Sequence, residues 1–250
     1  MSIPFVPHLL LVAFLVVVFP LWDRRETRRL KTSADPDVRL RSYQKTIGWQ
    51  LAATALLLAT VPARRLFTAP ATPRSLGIGL GVEHVIPIVI GLLVGAMVPV
   101  LIARFSRRGE APAVPSPLTA IAFFLPRGGR ERAWFAAMCV TVGICEEIVF
   151  RGFLVRFFAE APVGIGIAAG VAVSAVIFGI DHGYQGVKGI VTTGVLALVF
   201  TALFFVSGSL WLPIVAHALL DLRVLTMVPR EGIPWPSDPS ERETDGAIRA

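Results

Sequence analysis

"AWFAAMCVTVGICEEIVFRGFLVRFF" (133–158) is apolar over enough length to cross a membrane, yet it carries Glu146, Glu147 and Arg151 within six residues. A spanning helix needs about 20 mostly apolar residues. A charged side chain at the bilayer centre costs about 2.5–3.5 kcal/mol on insertion scales, so such residues face a partner or a polar cavity. On a helix, Glu147 and Arg151 are i, i+4 and can pair. Glu146 projects about 100° away from Glu147 and is free to point elsewhere.

The rest of the chain agrees with a membrane setting. Of 250 residues, 54% are hydrophobic and 16% charged, with mean hydropathy +0.70. Soluble domains carry about 25% charged residues, so the composition points to an integral membrane protein. The net charge of +7 sits in short arginine runs beside apolar segments. It reads as a topology signal and implies no nucleic-acid partner. Cys139 and Cys145 would not share a helix face, and no C-x-x-C occurs. No structural zinc cluster or disulfide framework is implied.

Six further segments are candidate spans: 4–22, 46–61, 84–103, 163–180, 187–206 and 210–228. The expected fold is all-α, a polytopic transmembrane helix bundle of about seven spans, with six to eight compatible with the boundaries. The run "SPLTAIAFFLP" (116–126) is too short to span and reads as an interfacial or re-entrant piece. The first segment lacks the charged start and cleavage site of a signal peptide and is kept as a mature helix. The basic stretch 23–45 is expected in the cytoplasm, which puts the C-terminus there too. Arg104, Arg107, Arg108, Arg127, Arg130 and Arg132 fall on the same side, whereas Arg64, Arg65 and Arg74 fall opposite. Residues 229–250 are polar and proline-rich and read as a disordered tail. Gly166, Gly170 and Ser174 follow a small-xxx-small spacing that suits close helix packing.

Within the last four segments the ionisable residues are few: Glu146, Glu147, Arg151, His182, His217 and Asp221, with Asp181 beside His182, while Arg156, Glu160, Lys188 and Arg223 lie nearer segment ends and can snorkel. Phe178 and His182 are i, i+4, as are His217 and Asp221. Groups on different helices converge only through packing. Together they could activate water, with a carboxylate as general base and a histidine positioning water or stabilising negative charge. Two histidines and a carboxylate could equally hold zinc with an open position. Each group also has a plain structural reading: a locking ion pair, a helix–helix hydrogen bond, a satisfied polar pair. Tyr184 and Trp211 read as interfacial anchors and Phe178 as packing. A proton- or ion-coupled transporter would use the same buried carboxylates, but no inverted repeat is visible.

Three motifs in order carry a resemblance. "EEIVFR" (146–151), "FGIDH" (178–182) and "HALLD" (217–221), with "FRGFL" following the glutamate pair, resemble the CPBP family of intramembrane endopeptidases. That family includes CAAX prenyl proteases of the Rce1 type and the Abi proteins. The resemblance spans roughly residues 130–228. It implies a membrane protease, a hydrolase of peptide bonds, acting on a peptide or protein substrate within the lipid bilayer, here most simply a bacterial plasma membrane. It divides the chain into N-terminal transmembrane segments with a basic cytoplasmic loop (1–110), a catalytic helix bundle (111–228) and the tail (229–250). It implies Glu146 as the base activating water with His182, Glu147 and Arg151 as the supporting pair, and His217 and Asp221 as the oxyanion side. Asp221 stands where asparagine is frequent, and an ionised Asp cannot donate to an oxyanion. The family has been described as zinc metalloproteases, in which case Glu146, His182 and His217 would be the ligands. The metal-free glutamate mechanism is favoured, with no cofactor. A non-catalytic immunity or scaffold member of the family is the remaining alternative.

Overall fold

The computed structural model describes residues 5–77, 79–105 and 116–228. Helix α1 covers residues 5–32 without a break, with a π-helical turn at Phe14–Val18. It therefore runs ten residues past the expected end at Trp22. The basic stretch 23–45 is not a loop but two helix ends separated by residues 33–37. Its Arg, Glu, Lys and Leu residues are good helix formers. Glu26 lies 3.8 Å from Arg29 and 3.3 Å from Lys45. Pro36 marks the interruption, since proline disfavours helical backbone at itself and just before.

Helix α2 (Val38–Thr60) is followed by the short α3 (Ala63–Phe67) and by α4 (Val85–Phe105). After the 3-10 helix Ser116–Phe124 comes α5 (Gly129–Ala159), which is π-helical over Glu147–Leu154. Then follow α6 (Ile167–Asp181), α7 (Gly186–Ser207), α8 (Trp211–Leu222) and α9 (Val224–Met227). Among the described residues, extended pairing is confined to one bridge, Thr68 with Ser209.

All seven expected segments fall on helices. Among the described residues, three helices are long and apolar enough to cross a bilayer: Val6–Thr32, Gly129–Ala159 and Gly183–Ser207. A count of seven full spans is not supported by length. Helices α6 and α8, of 15 and 12 residues, are about 22 and 18 Å long against a hydrocarbon core of about 30 Å. The outer faces are apolar, with Ile86 69%, Val176 61% and Val191 60% exposed, as lipid-facing surfaces are. The expected interfacial piece is folded against the bundle. Leu118 and Leu125 pack with Met227 and Val228, and Phe123 packs with Leu30 and Val38. The tail 229–250 lies outside the described residues, as do Arg107 and Arg108.

Named contacts set the helix directions. Helices α2 and α5 run parallel: Arg39 meets Glu131, Tyr43 meets Phe135, and Gln50 meets Glu146. Helix α6 runs antiparallel to α5. The Ser174 hydroxyl donates to the Phe150 carbonyl at 3.0 Å, and a Cβ on Gly170 would stand 2.7 Å from the Val155 carbonyl. Of the three small residues, Gly170 and Ser174 pack on α5, whereas Gly166 precedes α6 with φ +85°. The main core draws on both ends of the chain, joining Leu15, Leu57 and Leu66 to Phe153, Phe178 and Phe204.

Candidate active site

The site is built around the point where α5 changes its winding. Glu146 is the last α-helical residue and Glu147 the first of the π-helical stretch. Such π-turns widen a helix by one residue per turn and often occur at functional positions. Every residue from Glu147 to Leu154 is buried.

Glu147, with no exposed surface, is the hub. Its Oε1 lies 3.0 Å from Arg151 Nη1 and 2.8 Å from His217 Nδ1. Arg151 is 1% exposed. Among the described residues, neither of its Nη atoms has a well-aligned hydrogen-bond partner. Its guanidinium is covered instead by the rings of Phe178, 4.5 Å from the centroid, and Phe200, 5.4 Å away. Cation–π contact of this kind favours a desolvated guanidinium. Phe200 also stacks on His217, with centroids 5.0 Å apart.

His217 comes from α8, which approaches α5 closely because Gly143 has no side chain. A Cβ there would stand 2.8 Å from the Ala218 nitrogen. We assign the proton on Nδ1, facing the Glu147 carboxylate, since an ionised carboxylate only accepts. His217 Nε2 then faces outward, 3.9 Å from Glu146 Oε2 and 3.6 Å from Asp221 Oδ2. Both separations are too long for a direct hydrogen bond and suit a bridging water. The site is more open on this side: the Glu146 side chain is 12% exposed and that of Asp221 35%.

His182 caps the C-terminal end of α6. Its Nδ1 lies 2.8 Å from the Phe178 carbonyl, so Nδ1 carries the proton and Nε2 the lone pair. Among the described residues no hydrogen bond joins His182 to Glu146. The two are related through Phe178, whose ring lies 4.6 Å from that of His182 and 6.2 Å from that of His217. The antiparallel register explains the shared level. Gly170 faces Val155, Ser174 faces Phe150, and Phe178 lies against Arg151. The next turn of α6 therefore falls beside Glu147 and Glu146. The short α6 removes the difference in depth that full-length spans would impose.

Residues 129–223 match a family model described as type II CAAX prenyl endopeptidase Rce1-like. This segment is similar to the domains of that family. All six residues named from the sequence motifs lie within it. No curated protein and no solved structure matches the chain.

Among the described residues no group of three His, Cys, Asp or Glu side chains is arranged to hold a metal ion. In the set Glu146, His182 and His217, the two histidines are held through Nδ1, His217 by Glu147 and His182 by the Phe178 carbonyl, which leaves Nε2 of each ring for another partner. Cys139 and Cys145 are free and buried.

Two neighbours of the site were not singled out as participants from the sequence. Gln50 on α2 donates from Nε2 to Glu146 Oε1 at 2.9 Å. Its neighbours at one-turn spacing, Thr46 and Thr54, are neutral, so no charge pattern marks it. Tyr184, read as an interfacial anchor, places its ring 5.9 Å from that of His182. Trp211, also read as an interfacial anchor, is 62% exposed.

Proposed function

We propose that this chain is an intramembrane endopeptidase of the CAAX-protease type, in which Glu146 activates the attacking water. The observation that carries the proposal is the facing of Glu146 Oε2 and His217 Nε2 across 3.9 Å, inside the Rce1-like segment. A water between them would lose a proton to Glu146 as its oxygen attacks the scissile carbonyl carbon. The C–N bond then breaks, and the proton held by Glu146 passes to the leaving amine.

His217, held by Glu147 through Nδ1, would donate from Nε2 to the oxyanion when its ring carries both protons. Asp221 then has a role that an ionised carboxylate can fill: orienting that ring and balancing its charge. Glu147 and Arg151 keep the ring in place. The lone pair on His182 Nε2 would accept a hydrogen bond from the second hydrogen of the water, which stays on the attacking oxygen. Water and an extended peptide would enter on the Asp221 side, where the site is more open. No step is routed through a metal.

Cleavage of a quenched fluorescent peptide library by detergent-purified protein tests this reading. Wild type should turn over, and chelator should leave the rate within about twofold. Glu146→Gln should lower kcat by about 10²-fold or more, the range of general-base loss, while the protein stays folded. Activity abolished by chelator and restored by zinc would replace the glutamate mechanism with a metal-dependent one. Wild-type turnover by Glu146→Gln would remove Glu146 from the role of base.

A further inference from the structure

Gln50 is 1% exposed and lies on α2, outside the matched segment. Its Nε2 donates to Glu146 Oε1 at 2.9 Å. An ionised carboxylate accepts only, so it determines which end of the amide faces it. Among the described residues, neither Gln50 Oε1 nor Glu146 Oε2, both buried, has a hydrogen-bond partner. The two oxygens of Glu146 are therefore unlike. Oε1 is held by the amide, and Oε2 faces His217 Nε2.

The helix that carries Gln50 is itself anchored to α5 and its approach. Arg39 makes two hydrogen bonds to Glu131, at 3.0 and 2.8 Å. The Tyr43 hydroxyl donates to the Phe124 carbonyl at 2.6 Å. Gln50 thus sits on a braced support, where a small displacement of the amide would swing the carboxylate it holds.

We infer that Gln50 is a positioning residue: by tying Glu146 Oε1 it leaves Oε2 as the oxygen that takes the proton from water. The inference rests on the peptidase reading above. Its rival is that Gln50 satisfies a buried carboxylate for stability alone. A group that orients the base acts on kcat and spares KM, since it touches no substrate.

The test uses Gln50→Met, close in shape and unable to donate. Two quantities are measured on the full chain in detergent. One is the kcat and KM for a cleaved peptide. The other is the infrared carboxylate band assigned to Glu146 by its disappearance in Glu146→Gln. Gln50→Met should lower kcat about tenfold or more with KM within about twofold, and the Glu146 band should shift. Thr54→Val, one turn further along α2, controls for packing and should keep kcat within about twofold. A Gln50→Met protein with kcat within about twofold of wild type overturns the inference. So does a Thr54→Val protein that falls as far as Gln50→Met. Should Gln50→Met not fold, Gln50→Asn, one methylene shorter, is held to the same criteria. Absence of turnover by wild type would overturn the peptidase reading and the positioning role with it. The band shift would still report the hydrogen bond, which separates that failure from loss of the contact.

Discussion

Glu147 and Arg151 illustrate what a buried ion pair does in this protein. Replacing both by apolar groups of similar size is often tolerated, whereas removing one partner leaves an uncompensated buried charge. Arg151 has no aqueous fallback, with 1% of its surface exposed and rings over its guanidinium. Glu147→Gln should therefore destabilise the fold by about 3–5 kcal/mol, read as a lower unfolding midpoint in detergent. The double variant Glu147→Gln with Arg151→Met should recover part of that loss. A double variant as unstable as the sum of the singles would show that the two do not act as a pair. The i, i+4 spacing of this pair was legible in the sequence, because it is a property of one helix. The third partner, His217 Nδ1 at 2.8 Å, was not legible, since it lies 70 residues away on another helix.

At the scale of elements, the approach of α8 to α5 controls the site. It depends on Gly143, where a Cβ would meet the Ala218 nitrogen at 2.8 Å and its Cα at 2.9 Å. Both are backbone atoms that cannot rotate away. Gly143→Ala should push α8 outward, separate His217 from Glu147, cost about 1–3 kcal/mol as overpacking does, and lower turnover with it. Gly48→Ala is the contrast. It lies within α2 with nothing within 4 Å, and alanine is favoured over glycine in a helix interior by about 1 kcal/mol, so stability should hold or rise. Equal losses in the two variants, measured by thermal unfolding, would contradict this account. Helix positions followed from apolar runs in the sequence. The π-helical stretch Glu147–Leu154 and the extension of α1 to Thr32 did not. The first is a winding chosen by packing, and the second is a charged segment of good helix formers that lacks the apolar run by which spans are sought.

For the whole molecule, the N-terminal third is part of the site's support, although it carries none of the family motifs. Leu15, Leu57 and Leu66 share a core with Phe153 and Phe178, and Gln50 reaches Glu146. A fragment of residues 111–228 should accordingly fail to give a monodisperse folded protein in detergent, and co-expression with residues 1–110 should restore one. A stable, active fragment would show that the Rce1-like segment holds its own site. The opposite end is also cross-linked. Arg65 and Arg156 both pair with Glu160, and Arg156 donates to the Thr68 carbonyl at 2.8 Å. Arg65, on the unexpected side of the positive-inside pattern, thus has a local counter-charge.

What could be read from the chain alone is whatever depends on neighbours in sequence. That includes its membrane character, the placing of its apolar helices, the polar residues within them, and the family that three short motifs resemble. Apolar length and one-turn spacing are local, so no folded structure is needed to see them. What depended on packing was which of those residues meet. Glu147 is bound to both Arg151 and His217, Glu146 is held by a glutamine from the N-terminal part, and His182 reaches the same level through a helix too short to cross a bilayer. These contacts join helices far apart in sequence. Their geometry is set by close approach at Gly143, by the register of α6 on α5, and by a local change of winding, none of which leaves a periodic trace in the residues themselves.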